Sequence, residues 1–336
     1  MAVSALRPEL FVSGTPYEIG FQYGSALAAE IGRYLDDDLA RINRLRDAPI
    51  SGAAVSKFVG QSAVWIEKEV PAIAEQISGL AAGAGITYEQ AMLLQLRREL
   101  IRQPGDDCTS IAGANVIAQT VDLTGNLSEL ALVLHVSSHL KICLLTFVGL
   151  CAYVGVNSAG LAVGINMITS TGWRPGVPPY LLVAHILGCS SVAEALEELA
   201  RIRRASSRYL VLADERGAVG VEMTVDDLRT LHSPLLAHAN HFLHPDFRAF
   251  ETKSDDELAC SRDRLERIAS LAARGVDARE MLRDHDGSPN SICVHNDGDP
   301  RTIETVAGVV MMPRTRQLRI AFGHPCATEF RVYSAV

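Results

Sequence analysis

Several features are missing from this 336-residue chain, and each absence narrows what it can be. Residues 1–9 hold no apolar stretch preceded by positive charge, so no secretory signal is expected. The longest uncharged apolar stretch, residues 142–156, is interrupted by Gly149 and Gly155. It is shorter than the roughly 20 residues a bilayer crossing needs, and it reads as buried strands. Positive charge is in deficit: 31 Lys and Arg against 39 Asp and Glu give a net charge of −8. That balance removes the electrostatic reason to expect nucleic acid or an anionic membrane as partner. Cysteine is sparse, and its seven copies have no paired spacing, which argues against a disulfide framework. The expected setting is a reducing cytoplasm with most thiols buried. Internal repeats and low-complexity segments are absent as well.

What is present is a globular composition, 48% hydrophobic and 21% charged, with enough apolar material for one large domain or two ordinary ones. Residues 1–103 read as helical, with apolar side chains at helical spacing over 17–42 and similar patterns over 53–70 and 73–80. Gly83-Ala84-Gly85 breaks the run, and Thr87 opens a further helix leading to Leu100. The polar segment 102–107 then ends the helical part. From Cys108 the character changes to short β-branched apolar segments: 110–122, 130–137, 141–150, 152–156 and 161–167, a series of antiparallel strands. Helices are expected over 180–187 and 192–203, the second capped by Ser190 or Ser191. A hairpin follows over 209–213 and 218–223, then helices over 255–273 and 278–283. Closing strands are expected over 291–295, 305–311 and 318–322. Helices, strands, helices and strands in that order indicate an α+β fold of antiparallel sheets covered by helices. The one internal boundary is at Cys108, dividing residues 1–107 from 108–336.

A cysteine that opens the first strand after a polar loop is accessible to chemistry, although placement alone does not distinguish it from a core thiol. The surrounding motifs carry more. Asp107-Cys108-Thr109-Ser110 resembles the maturation site of the acyl-coenzyme A:6-aminopenicillanic acid acyltransferase family, N-terminal-nucleophile hydrolases related to the choloylglycine hydrolases. In the same order, Gly14-Thr15-Pro16-Tyr17-Glu18-Ile19-Gly20 with Gly24, the segment 79–85 and Arg97-Arg98-Glu99 are similar to its prosegment. The segments 155–162 and 238–242 (His-Ala-Asn-His-Phe) resemble its internal motifs, and Ile292-Cys293-Val294-His295 and Gly323-His324-Pro325-Cys326 its C-terminal strands.

The resemblance implies a four-layer αββα sandwich with a helical N-terminal prosegment, 1–107, and a catalytic segment, 108–336. It implies self-cleavage between Asp107 and Cys108, after which the two pieces stay associated. Cys108 then carries both a thiol, pKa about 8.5, and a free α-amine, pKa about 8, so proton transfer between them is nearly thermoneutral. By the same resemblance Asp122 holds that amine and Asn240 stabilises the oxyanion. Asn166 faces the nucleophile as a substrate-binding group. Ser110, two residues after Cys108, either assists self-cleavage through its hydroxyl or is an ordinary strand residue. Thr120 and Val121 depart from the family's usual residues before Asp122. Asp107 stands where many relatives have glycine, and its carboxylate either hinders or assists the cut.

His238, His241 and His244 recur every third residue, but no acidic or cysteine ligand repeats with them. Shaping the turn that presents Asn240 is their expected task. No metal and no cofactor are expected. Tyr153, Trp173 and Tyr180 are candidates for a pocket wall, though core packing accounts for them as well. The leading expectation is hydrolysis of a small linear N-acyl amide through an S-acyl-Cys108 thioester. Transfer of the acyl group to an amine is the alternative. A Cys–His protease and a non-catalytic binding module are further classes.

Overall fold

The computed structural model describes residues 9–101, 108–113, 115–296 and 298–336. The N-terminal part is not purely helical: it opens with a strand, Glu9–Ser13 (β1). The helices Pro16–Ala26 (α1), Ala28–Asp36 (α2), Gly52–Glu69 (α3), Pro71–Ala84 (α4) and Tyr88–Ile101 (α5) follow. Their starts are chemically marked. Thr15 and Glu18 form a reciprocal capping box before Pro16, Ser51 caps α3, and Thr87 with Gln90 does the same for α5.

The single helix expected over 17–42 is interrupted at Leu27 and stops at Asp36. Asp38, Leu39, Ala40 and Arg41 then take φ of 54–62°, a left-handed turn that costs L-residues roughly 1–2 kcal/mol each. Hydrogen bonds hold it there. Arg97 donates to the Ala40 carbonyl at 2.6 Å, and Arg41 to the carbonyls of Gly125 and Asn126 at 3.0 and 2.6 Å.

Helices α1 and α4 cross with backbones in direct contact, because each presents two glycines one turn apart. A Cβ on Gly20 would lie 1.8 Å from the Gln76 carbonyl oxygen, and one on Gly79 would lie 2.0 Å from that of Tyr17. Gly24 and Gly83 repeat the relation one turn on. Two of the sequence motifs are therefore each other's packing partners.

After Cys108 come Ser110–Gly113 (β2), Val116–Leu123 (β3), Ala131–Ser137 (β4), Lys141–Phe147 (β5), Val154–Asn157 (β6) and Ala162–Asn166 (β7). Helices Pro179–Ile186 (α6) and Val192–Arg201 (α7) lead to Arg208–Asp214 (β8), Gly217–Met223 (β9), Leu228–Leu231 (β10) and Leu236–His238 (β11). Helices Asp255–Ala273 (α8) and Ala278–Leu282 (α9) precede Glu304–Met312 (β12), Gln317–Phe322 (β13) and Arg331–Ser334 (β14).

Two further expectations need correction. Residues 110–122 form a hairpin, Ser110 opposite Gln119, because Gly113 and Asn115 supply turn residues inside the apolar run. Residues 291–295 form no strand. Their backbone groups bond elsewhere: the Cys293 N–H to the Asp284 carbonyl (2.8 Å), and the Val294 N–H to the Thr305 hydroxyl (2.8 Å).

The described strands make two sheets, one in the order β1-β4-β5-β6-β7-β8-β9-β10 and the other β11-β2-β3-β12-β13-β14. Every pairing is antiparallel except β1 with β4. The sheets face each other through β3, β12 and β13 on one side and β5 to β8 on the other. Helices α8 and α9 cover the outer face of the second sheet, while α1 and α7 pack against the first. The result is helix, sheet, sheet, helix, the αββα layering. One continuous apolar core includes Ile31, Ile66 and Leu80 of the N-terminal helices together with Val121, Leu145 and Val309 of the two sheets. Strands β7 and β8 are buried on both faces, which is why they read as unbroken apolar runs.

Candidate active site

Cys108 is buried just ahead of β2, its sulfur 3.8 Å from the Tyr153 hydroxyl. Its carbonyl oxygen accepts a hydrogen bond from the Asn166 side-chain amide at 2.9 Å. The same NH2 group lies 3.1 Å from the Ala239 carbonyl and 3.3 Å from that of His238. Asn166, at the end of β7, thus reaches from one sheet to the start of the other. Its position is fixed one residue earlier. The Gln119 side chain accepts the Ile165 N–H (2.9 Å) and donates to the Ile165 carbonyl (3.0 Å). Gly164 makes room for this bridge, since a Cβ there would lie 2.5 Å from the Gln119 oxygen.

Asp122 on β3 is fully buried. One carboxylate oxygen accepts the Thr120 hydroxyl and the other the Thr305 hydroxyl, both at 2.7 Å. The Thr120 oxygen in turn accepts the Thr109 N–H at 3.1 Å, and the Thr120 N–H donates to the Thr109 carbonyl at 3.0 Å. A two-step chain therefore runs from Asp122 to the peptide unit that follows Cys108. Thr120 has no assigned task in the sequence motif. Here it is the relay.

Asn240 is also fully buried. Its backbone N–H donates to Ser261 (2.8 Å) and its side-chain NH2 to the Met167 carbonyl (2.9 Å). Its side-chain oxygen accepts both terminal nitrogens of Arg264, at 3.1 and 3.0 Å. Arg264 reaches the Thr109 hydroxyl as well, at 3.0 Å. Ser261 and Arg264 stand three apart on α8 and so share one face of that helix. The guanidinium decides which end of the Asn240 amide points where. An amide NH2 carries two donors, and Met167 accepts one of them.

Ser110 is farther from the chemistry: its hydroxyl is 3.5 Å from the His238 carbonyl. Asp107 lies outside the described residues. The three histidines go separate ways. His238 bonds Glu222 (2.9 Å) and stacks on Tyr209, with ring centroids 3.6 Å apart. Burial alone would raise the Glu222 carboxyl. The His238 hydrogen bond and the N–H groups of Leu243 and His244 outweigh burial and hold it below the usual carboxylate range. His241 bonds Ser261 at 2.7 Å, and its pKa falls to about 4 through burial and the nearby charges of His238 and Arg262. His244 accepts the Asp246 N–H (3.3 Å).

A cavity of about 40 Å³ is walled by Tyr153 and Tyr180, whose stacked rings are 5.2 Å apart. Leu94, Arg97 and Arg98 of α5 and Tyr34 of α2 form its other side. The N-terminal helices are thus part of the wall next to Cys108. Trp173 is not on that wall and donates to Ser207 at 3.1 Å. A groove of about 700 Å³ runs outside the cavity and shares Tyr34 and Val148 with it. Behind α5, the Glu99 carboxylate accepts the Ser206 hydroxyl (2.8 Å) and lies 3.9 Å from Arg208. Burial pushes this carboxyl up, and the Arg208 charge opposes that.

A helix-covered double sheet thus brings a buried cysteine, a buried carboxylate and two side-chain amides together around Cys108 and Thr109 at the entrance to β2. Residues 109–327 match the model of the acyl-coenzyme A:6-aminopenicillanic acid acyl-transferase family, and the chain belongs to that family. It is 25% identical over 331 residues to the acyl-coenzyme A:6-aminopenicillanic-acid-acyltransferase 40 kDa form of Emericella nidulans, covering 93% of this chain and 91% of that one. Among solved structures it is similar to a mutant of the conjugated bile acid hydrolase from Clostridium perfringens, with 12% identity, a TM-score of 0.43, and 68% of this chain and 96% of that one covered. The penicillin V acylase from Agrobacterium tumefaciens gives 15% identity and a TM-score of 0.36, covering 68% and 78%. Among the described residues no helix is long and apolar enough to cross a membrane.

Proposed function

We propose that this chain cuts itself between Asp107 and Cys108 and then cleaves small linear N-acyl amides through an S-acyl-Cys108 intermediate. The observation that carries this reading is the convergence on the Cys108–Thr109 unit. Asn166 bonds the Cys108 carbonyl, Thr120 links Thr109 to Asp122, and Arg264 links Thr109 to Asn240.

In the maturation step the Cys108 sulfur attacks the Asp107 carbonyl. The C–N bond breaks as the C–S bond forms, and the nitrogen takes up the thiol proton. Water then hydrolyses the thioester, leaving a carboxyl on Asp107 and a free amine and thiol on Cys108. In turnover the amine accepts the thiol proton as sulfur attacks the substrate carbonyl, and it delivers that proton to the leaving nitrogen. Asp122, anchored by two hydroxyls, holds the amine through the Thr120 side of the site. The second Asn240 N–H is the oxyanion donor, a contact commonly worth about 3 kcal/mol of barrier. A space of 40 Å³ has room for little more than a water, so it must widen to admit an acyl group. The two pieces stay together because they share one core.

Acyl transfer to an amine is the second reading, favoured by the name of the Emericella relative. The same residues serve it if an amine replaces water at the thioester. Seven free cysteines, five of them buried, fit a reducing compartment such as the cytoplasm. Intact mass with N-terminal sequencing tests the reading: two fragments are expected, the larger beginning Cys-Thr-Ser-Ile, and Cys108→Ala should remain one piece. N-acyl amines incubated with and without an acceptor amine should give free acid as the main product. Full activity in an uncut chain would refute the proposal.

A further inference from the structure

The loop after α9 and the turn after β13 bring three soft donor atoms together. The sulfurs of Cys293 and Cys326 are 3.7 Å apart. Nε2 of His295 lies 3.7 Å from the first sulfur and 3.1 Å from the second. All three atoms fall within 4.8 Å of one another. A tetrahedral zinc ion, bonded at about 2.3 Å to sulfur and about 2.0 Å to nitrogen, holds two sulfurs about 3.8 Å apart and a sulfur–nitrogen pair about 3.5 Å apart. The observed triangle is nearly that one.

Its setting also suits an ion. Cys293 is buried, Cys326 half-buried and His295 exposed, so the two sulfurs sit inside while the imidazole closes the rim. His324 stacks on His295 with centroids 3.9 Å apart and steadies that ring. A disulfide accounts for less. The sulfurs stand well beyond the roughly 2.05 Å of an S–S bond, and such a bond gives no reason for an imidazole lying against both of them.

We propose that Cys293, His295 and Cys326 form a binding site for a soft divalent cation of the zinc class, with water in the fourth position. Thiolate and imidazole together favour zinc over the oxygen-seeking magnesium and calcium. The ion staples the loop that follows α9 to the turn that follows β13. It also steadies the nucleophile site from behind, because Val294, between two of the ligands, donates its N–H to the Thr305 hydroxyl (2.8 Å). That hydroxyl in turn donates to Asp122 (2.7 Å).

Cobalt(II) is the probe, titrated into reduced full-length Cys108→Ala protein so that the Cys108 thiol cannot bind it. One equivalent should produce sulfur-to-cobalt charge-transfer absorption with tetrahedral ligand-field bands, and zinc should displace it and raise the thermal midpoint. Cys326→Ser should abolish the bands, and His295→Ala should weaken binding by at least about tenfold. His295 is exposed and Cys326 half-buried, so the test does not depend on the buried Cys293 tolerating substitution. Absence of the bands in folded protein, or bands undiminished in both variants, would overturn the proposal. The titration reads metal binding and neither cutting nor turnover, so either result leaves the reading of Cys108 untouched.

Discussion

The Asn166 side-chain amide donates to the Cys108 carbonyl oxygen at 2.9 Å, and through that one bond the end of β7 holds the residue that opens the opposite sheet. The contact joins two parts of the chain 58 residues apart. Both residues are buried. Cys108 is therefore held through its backbone carbonyl, with its sulfur 3.8 Å from the Tyr153 hydroxyl.

Thr120→Val keeps the shape of the side chain and deletes the hydroxyl that accepts from Thr109 and donates to Asp122. A buried N–H and a buried carboxylate oxygen each lose a partner, at about 1–3 kcal/mol per group. The rate of appearance of the Cys108 fragment should fall at least about tenfold, and Thr120→Ser should restore most of it. Time-resolved intact mass measures both.

Arg264→Lys keeps the charge but cannot hold the Asn240 oxygen with two nitrogens while reaching Thr109. The Asn240 amide then loses its fixed orientation. We expect kcat to fall by about 10²–10³ with little change in KM, the pattern of a lost oxyanion donor. Steady-state kinetics on an N-acyl amide decide it, and an unchanged kcat would exclude Arg264 from positioning Asn240.

Gly79→Ala places a methyl 2.0 Å from the Tyr17 carbonyl oxygen, so α1 and α4 must separate. Overpacking of this kind costs about 1–3 kcal/mol or more. Gly60 on α3 meets nothing within 4 Å, so Gly60→Ala is the matched control and should hold or raise the thermal midpoint.

His241 should give the protein an acid-sensitive step. Burial, with the charges of His238 and Arg262 against the opposing Glu222, depresses its pKa to about 4 from 6.5. Between those values the unfolded chain takes up a proton that the folded one does not, so stability is lost as pH falls from 6.5 toward 4. His241→Gln should flatten the stability profile in that window, measured by urea denaturation. A profile of unchanged slope would rule the ring out.

Much of the site was legible because its members sit in recognisable short motifs. Cys108, Asp122, Asn166 and Asn240 were all named through the family resemblance that those motifs carry, and the structure places them around Cys108 and Thr109. Arg264 was hidden by its surroundings. It lies in α8 among Asp263, Glu266 and Arg267, where nothing marks one arginine as buried. Thr120 and Thr305 matter through a single hydroxyl each, and threonine in a strand carries no signal beyond β preference. The layers followed from hydrophobic patterning, whereas β10, β11 and β14 have three or four residues, too short for alternation to show. Residues 291–295 read as a strand because Ile, Cys and Val lie together. Their burial instead serves a loop pinned by Thr305.

The pairing of β1 with β4, together with Tyr23 bonding the carbonyls of Phe147 and Leu150, ties residues before Cys108 to the sheet built after it. If the backbone is severed at Cys108 as proposed, unfolding would yield two molecules where there was one. Its midpoint would then be a matter of mass action and rise with protein concentration, as for a heterodimer. Dilute solutions would lose first the strand that the smaller piece lends to the sheet edge.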